Sequence, residues 1–242
     1  MSWTKTTKTS VFAFGAAAAA AAALFATASP AAVHARGANV CPGGQVRFGL
    51  EPYDAGPKLA AAYKSLISIL QTKLGCPVKL FIATNYTAEV EAMRAKKLDV
   101  GEFGPLGYIF AHQLAKAQPV AVFGTKARKP VTYTAALWVP ADSTIKTVAE
   151  LKGHTLALSD PGSTSGNLFP RYAMLKAGLN PDKDVKIQYA GSHTASLLAL
   201  TNGKVDAELG VDAGPIIGGS DSLYSQIRQL VSLEHIDIKH IG

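Results

Sequence analysis

The sequence predicts an α/β protein of two similar half-domains, each a mostly parallel sheet flanked by helices. Three observations lead there. Short apolar runs alternate with longer stretches of helical period, the pattern of strand–helix–strand units. The composition, 48% hydrophobic and 17% charged over 242 residues, supports a sizeable core. One stretch of the chain also resembles another 107 residues further on, as expected of two related halves.

In chain order, Gln45–Leu50 reads as a strand, followed by a Pro/Gly-bearing loop from Glu51 to Pro57. Leu59 to Leu74 carries apolar residues at Leu66, Ile67, Leu70 and Leu74, a helical period that stops at Gly75. Val78–Ala83 reads as a strand, Thr87–Lys96 as a helix, Leu98–Phe103 as a strand and Leu106–Ala115 as a helix. Val120–Gly124 and Tyr133–Val139 read as further strands, and the stretch Val131–Pro140 as a segment crossing between halves. The second series comprises a short helix at Val148–Leu151, strand Thr155–Leu158, helix Gly166–Ala177, strand Val185–Tyr189, helix Thr194–Thr201 and strand Val205–Gly210.

The repeat places Tyr86-Thr87-Ala88 over His193-Thr194-Ala195, Ala92 over Ala199, and Lys97-Leu98-Asp99 over Lys204-Val205-Asp206. Both copies begin a helix at a polar residue and turn into a strand after Lys-x-Asp. Two such halves face two helix N-termini toward a shared cleft.

The N-terminus has its own character. Lys5 and Lys8 precede an apolar stretch, Val11–Ala26, too short at ~1.5 Å per residue to span a ~30 Å hydrocarbon core. Small residues at Ala26-Thr27-Ala28 and Val33-His34-Ala35 offer two cleavage points, so residues 1–35 read as a cleavable export signal. In an oxidising compartment Cys41 and Cys76 read as a disulfide, each standing shortly before a strand-like segment. No His or Cys stands at ligand spacing to either, so no metal site is expected.

The strongest chemical motif is Asp160-Pro161-Gly162-Ser163-Thr164-Ser165-Gly166, between a strand and a helix. Three hydroxyls at a helix start exceed what one N-cap needs, and with the backbone N–H groups they suit an anion bearing several acceptor oxygens. No Lys follows the second glycine, which excludes a nucleotide-phosphate loop of the Walker type. Gly191-Ser192-His193 and Asn85-Tyr86-Thr87 open the two repeated helices, and Tyr133 lies on the crossing segment. The net charge of +7 comes from scattered Lys and Arg residues with no adjacent run longer than a pair, so nucleic acid is excluded as a partner. No Ser-His-Asp order, paired carboxylates or cofactor motif points to an enzyme.

An ordered series of these motifs resembles periplasmic phosphate/phosphite/phosphonate-binding proteins of ABC transporters. It runs from Leu98-Asp99-Val100 through Phe103-Gly104-Pro105 and Tyr108, then Tyr133 and Ile145–Gly153. Asp160-Pro161-x-Ser163-Thr164-Ser165-Gly166, Gly191-Ser192-His193 and Val205-Asp206-Ala207 complete it. The resemblance implies a two-lobed type II periplasmic-binding-protein fold, with lobe 1 over residues 36–134 and lobe 2 over residues 135–242. It implies ligand contacts from Tyr86, Tyr133, Ser163, Thr164, Ser165 and His193, with Tyr108 and Asp212 as further candidates and Glu102 as a weaker one. It further implies a monomer without cofactor, delivering a small phosphorus oxyanion to an ABC permease of the inner membrane. A sensor for a two-component histidine kinase would use the same binding chemistry. The resemblance stops near the C-terminus: no proline follows Pro215, and the second crossing strand and closing helices of the family are not legible. The expectation is a chain truncated in lobe 1, less stable than a full-length relative and weaker or inactive in binding.

Overall fold

Two sheets organise the chain. The structure, a computed structural model, describes residues 41–212 and 227–236. The smaller sheet holds β1 (Val46–Leu50), β2 (Val78–Ile82) and β3 (Val100–Glu102) in the order β2-β1-β3, all parallel. The larger holds β4 (Tyr133–Pro140), β5 (Thr155–Leu158), β6 (Lys186–Tyr189), β7 (Ala207–Asp212) and β8 (Ile227–Ile236) in the order β6-β5-β7-β4-β8. There β5, β6 and β7 are parallel, and β4 runs antiparallel between β7 and β8.

Parallel neighbours need crossover connections, and helices supply them. In the first half these are α1 (Gly56–Leu74), α2 (Tyr86–Arg94) and α3 (Pro105–Ala115); in the second, α4 (Phe169–Lys176) and α5 (His193–Thr201). Helix α1 opens with Pro57 in its first turn and ends at Gly75, whose φ of 70° is the left-handed conformation glycine adopts without steric cost. Leu50, Leu59 and Tyr63 bury the face of α1 against β1, while Leu137, Leu156, Leu158, Met174 and Leu209 fill the second core. Each such side chain contributes about 1.5–3 kcal/mol by leaving water.

The 107-residue repeat is a repeat of hydrogen bonds. Asn85 accepts from Ala88 N at 2.7 Å to cap α2, and Ser192 accepts from Ala195 N at 3.2 Å to cap α5. Lys97 N donates to Ala92 O, and Lys204 N to Ala199 O. The Asp99 carboxylate accepts from Arg47 N on the neighbouring strand, and the Asp206 carboxylate from Thr155 N, each at 2.8 Å. The Lys-x-Asp motif is thus the device that docks each helix-to-strand turn onto the adjacent strand. At the same entry end of the smaller, parallel sheet, where Val46 pairs with Val78, the disulfide Cys41–Cys76 joins the starts of β1 and β2, as the cysteine positions predict.

Three expectations are corrected. Val120–Gly124 is not a strand: Gly124 bridges only Pro130, and Val120, Val122 and Phe123 stay exposed. A second strand beside the crossing segment, which the sequence reading does not find, is supplied by β8 against β4. Its ladder is broken by two register shifts, so strict alternation does not mark it in the sequence. The helix expected over Gly166–Ala177 begins instead with a wider π turn at Thr164–Leu168 before α4. Pro170 has no N–H to give the Gly166 carbonyl, and that carbonyl accepts from Ser159 N at 3.0 Å. The export signal at residues 1–35 lies outside the described residues. Among the described residues, no helix is long and apolar enough to cross a membrane.

Candidate functional site

The hydroxyl loop lies where the two halves meet. Ser163, Thr164 and Ser165 are only 2%, 5% and 2% exposed, unlike hydroxyls serving merely as surface caps. Ser163 caps the π turn, accepting from Gly166 N at 3.0 Å, and its own N–H donates to Asp160 O. Two flanking glycines let neighbours approach. A Cβ on Gly162 would stand 2.7 Å from Tyr86 Cβ. One on Gly166 would stand 1.8 Å from Ser159 Oγ and 2.9 Å from His193 Cε1. Glycine is required at Gly166 by this close approach.

Residues from both halves converge on the loop. The Ser163 side chain acts on the Tyr86 hydroxyl, and Tyr86 N lies 3.4 Å from the Asp160 carboxylate that accepts it. The Thr164 side chain acts on the Tyr133 hydroxyl, and its Oγ1 accepts from Leu106 N in the first turn of α3 at 2.8 Å. His193 Nε2 lies 3.5 Å from both Ser163 Oγ and Ser165 Oγ. Tyr86 and His193 are equivalents in the repeat, each the first residue of its helix, so each half brings one aromatic side chain to the hydroxyl loop. The halves are also tied by Thr194, whose hydroxyl donates to Asp54, and by His193 N, which donates to Tyr53 O at 3.3 Å.

The electrostatics favour neutral donors. Burial lowers the His193 imidazole to about 4, so it is uncharged near neutrality and offers one N–H. Burial, reinforced by the Glu51 carboxyl, pushes the Tyr86 hydroxyl far above the ordinary tyrosine range, and Tyr133 shifts the same way for the same causes. Both phenols keep their protons. The strongest charge effects on these side chains come from carboxyl groups rather than cations.

Those carboxyl groups are what sequence reasoning misses. Glu51, at the loop after β1, is buried and accepts from Gly104 N at 2.8 Å. Glu89 from α2 lies against the bare backbones of Gly49 and Gly101, which are cross-strand partners. Burial raises it to about 9. Glu102 ends β3 beside Tyr63 and is raised by burial to about 7. Glu208 on β7 is raised by burial to about 8. Glu51 stands just past a strand C-terminus, the position that marks the other site residues, and that was its only sequence signal.

The remaining candidates lie elsewhere. Tyr108 lines a separate hollow of about 440 Å³ with Met93, Phe103 and residues 117–122, and its ring meets His112. Asp212 pairs with Thr134 at the end of β7. Among the described residues, no group of three or more His, Cys, Asp or Glu side chains could hold a metal ion.

A buried, hydroxyl-lined meeting point of two α/β halves is the kind of place in such folds where ligands bind. A family model described as "ABC transporter, phosphonate, periplasmic substrate-binding protein" matches residues 48–212, which hold every one of these side chains. The chain belongs to this family. The Phosphate-import protein PhnD of Mycolicibacterium smegmatis is 31% identical over 170 residues, 66% of this chain and 53% of that protein. The Phosphonates-binding periplasmic protein of Escherichia coli is 29% identical over 169 residues, 66% of this chain and 48% of that protein. The chain therefore spans about half the length of these family members.

Two solved structures share the fold. A binding-protein component of an ABC phosphonate transporter from Pseudomonas aeruginosa superposes with a TM-score of 0.72 at 24% identity, covering 79% of this chain and 66% of that one. PhnD1 from Prochlorococcus marinus, solved in complex with methylphosphonate, superposes with a TM-score of 0.69 at 20% identity, covering 81% and 78%. The fold is that of type II periplasmic binding proteins, as the sequence motifs imply.

Proposed function

We propose that this chain captures a phosphonate, or the related oxyanions phosphite or phosphate, as the solute-binding component of an ABC importer. The observation that carries the reading is the buried loop Ser163-Thr164-Ser165, met by Tyr86 and the first turn of α3 from one half and by His193 from the other. An oxyanion with three or four acceptor oxygens suits neutral O–H and N–H donors directed at one point from several sides. Hydrogen bonds to an ionised group are the stronger kind. Tyr86, Tyr133, Ser163, Thr164, Ser165 and His193 are the ligand contacts in this reading, with Asp212 a further candidate and Tyr108 set apart by the separate hollow it lines. Lobe 1 is assigned to residues 36–134 and lobe 2 to residues 135–242, with the anion between them and an inner-membrane permease as the receiver of the loaded form.

Catalysis is not part of the reading. Ser163 and His193 resemble a nucleophile–base pair only in their types. His193 Nε2 is shared at 3.5 Å between two serines, and among the described residues no carboxylate hydrogen-bonds its Nδ1. Export to the periplasm follows from residues 1–35 as a cleaved signal.

A thermal-shift screen of the purified chain tests the reading, with phosphate, phosphite, hypophosphite, methylphosphonate and 2-aminoethylphosphonate. A ligand that binds only the folded state raises the midpoint with its concentration. The expected result is a concentration-dependent rise with at least one of these anions and none with chloride. A cooperative melt that no phosphorus oxyanion moves would overturn the reading.

A further inference from the structure

The buried acid Glu51 sits where an anion site would be expected to exclude it. Its Oε2 accepts from Gly104 N, while its Oε1 has no hydrogen-bond partner among the described residues and packs against Gly107 in the first turn of α3. Gly104 is also the near neighbour of the hydroxyl loop. A Cβ built there would stand 3.2 Å from Glu51 Oε2 and 3.8 Å from Thr164 Oγ1, so carboxyl and hydroxyl flank one backbone position. Glu51 also exerts the largest charge effect on both Tyr86 and Tyr133.

The groups facing Glu51 come from every element around it. Glu102 on β3, Glu89 on α2 and Asp160 before the hydroxyl loop are carboxyl groups; Tyr53, Tyr63, Tyr86 and Tyr133 are phenols. Tyr53 donates to Tyr63 at 3.3 Å, and the Tyr63 hydroxyl acts on Glu102, whose Oε2 has no partner among the described residues. The strongest charges acting on Glu51 are all negative. An ionised Glu51 in this setting would repel an arriving oxyanion, whereas a neutral carboxylic acid is one more O–H donor.

We propose that Glu51 is a further ligand contact, a carboxylic acid whose O–H donates to an oxygen of the captured anion, so that the site takes up anion and proton together. Glu102 exerts the largest charge effect on Glu51 and stands one strand position away, since Leu50 pairs with Glu102. The proposal rests on the oxyanion reading above. Burial and the Glu102 charge support it by raising Glu51 well above the usual carboxylate range, with Glu102 itself at about 7. Where rising pH takes the proton from Glu51, the anion must recruit one to bind.

Calorimetric titration of methylphosphonate into wild type and Glu51→Gln, from about pH 5.5 to about pH 9, tests this. The ligand's own titration is common to both proteins, so only the difference between the two pH profiles reports Glu51. Glutamine keeps an N–H donor, so affinities within about tenfold are expected at the acid end. Toward the alkaline end, wild type is expected to weaken by up to about tenfold per pH unit relative to Glu51→Gln, the slope of one linked proton. Parallel profiles with binding retained would overturn the proposal. Should Glu51→Gln fail to fold, wild type alone decides. Hypophosphite is a monoanion throughout this range, and its binding heats in two buffers of different ionisation heat count the protons taken up. A count that climbs toward one as pH is raised across this range supports the proposal, and a count of zero throughout overturns it. Failure of folded wild type to bind either anion at about pH 5.5 overturns the oxyanion reading itself.

Discussion

Replacing Glu208 by glutamine is expected to stabilise the fold by an amount set by pH. Glu208 lies on β7 between Trp138 of β4 and Ala157 of β5, in the interior of the larger sheet, and is 2% exposed. Its Oε2 has no hydrogen-bond partner among the described residues, and both carboxyl oxygens crowd Gly210 opposite His193 Nδ1. Burial raises it to about 8, against 4.5 for an unburied glutamate. The folded protein therefore holds a proton that the unfolded chain releases above about pH 4.5, and stability falls as pH rises from there through the folded value. At about 1.4 kcal/mol per pH unit, the cost at pH 7 is about 3 kcal/mol, and it levels off above pH 8. Glutamine matches the neutral acid in size and carries no charge to release. Urea unfolding of both proteins at about pH 4.5, 7 and 8.5 is expected to show no gain at the lowest value and a growing gain at the other two. A variant less stable by the same amount at every pH would refute the reasoning, because it would mean that Glu208 is ionised and paired in the fold.

Gly166→Ala places a methyl group into Ser159 and His193, and overpacking of this kind costs about 1–3 kcal/mol. A lowered melting midpoint together with weaker methylphosphonate binding is the expected result, and an unchanged midpoint would contradict the close approach. Reducing Cys41–Cys76, which closes a loop over a sequence separation of 35, is expected to remove about 2–4 kcal/mol, read by denaturant unfolding with and without reductant. Because both cysteines stand at strand entries, away from the strand C-termini that carry the site, anion affinity of the reduced but folded chain should stay within about threefold.

Much of this architecture is legible because the sequence states it twice. The Lys-x-Asp turns, the polar helix caps and the cysteines before adjacent strands each predict a specific contact, and each contact is present. The convergence of Tyr86, Tyr133 and His193 on the hydroxyl loop follows from placing strand C-termini and helix N-termini at one cleft. Tyr108 shares that pattern yet sits three residues into α3, and it lines another hollow. The buried acids were hidden for a different reason. A glutamate defaults to the surface, and only tertiary structure reveals that Glu89 is packed on the bare backbones of Gly49 and Gly101, or Glu51 on Gly107. Val120–Gly124 has the composition of a strand, but strand propensity is realised only beside a partner, and Gly124 has Pro130 alone.

The central claim is that the hydroxyl loop at the meeting of the two halves holds an oxyanion. Calorimetric titration of methylphosphonate into the folded chain at about pH 6, alongside Ser165→Ala and Tyr133→Phe, tests it most directly. The account predicts saturable one-site binding, weakened about 10- to 100-fold in each variant, since a hydrogen bond to a charged group is worth about 1.5–3 kcal/mol. No binding by a folded wild-type chain, or equal affinity in all three proteins, would contradict it.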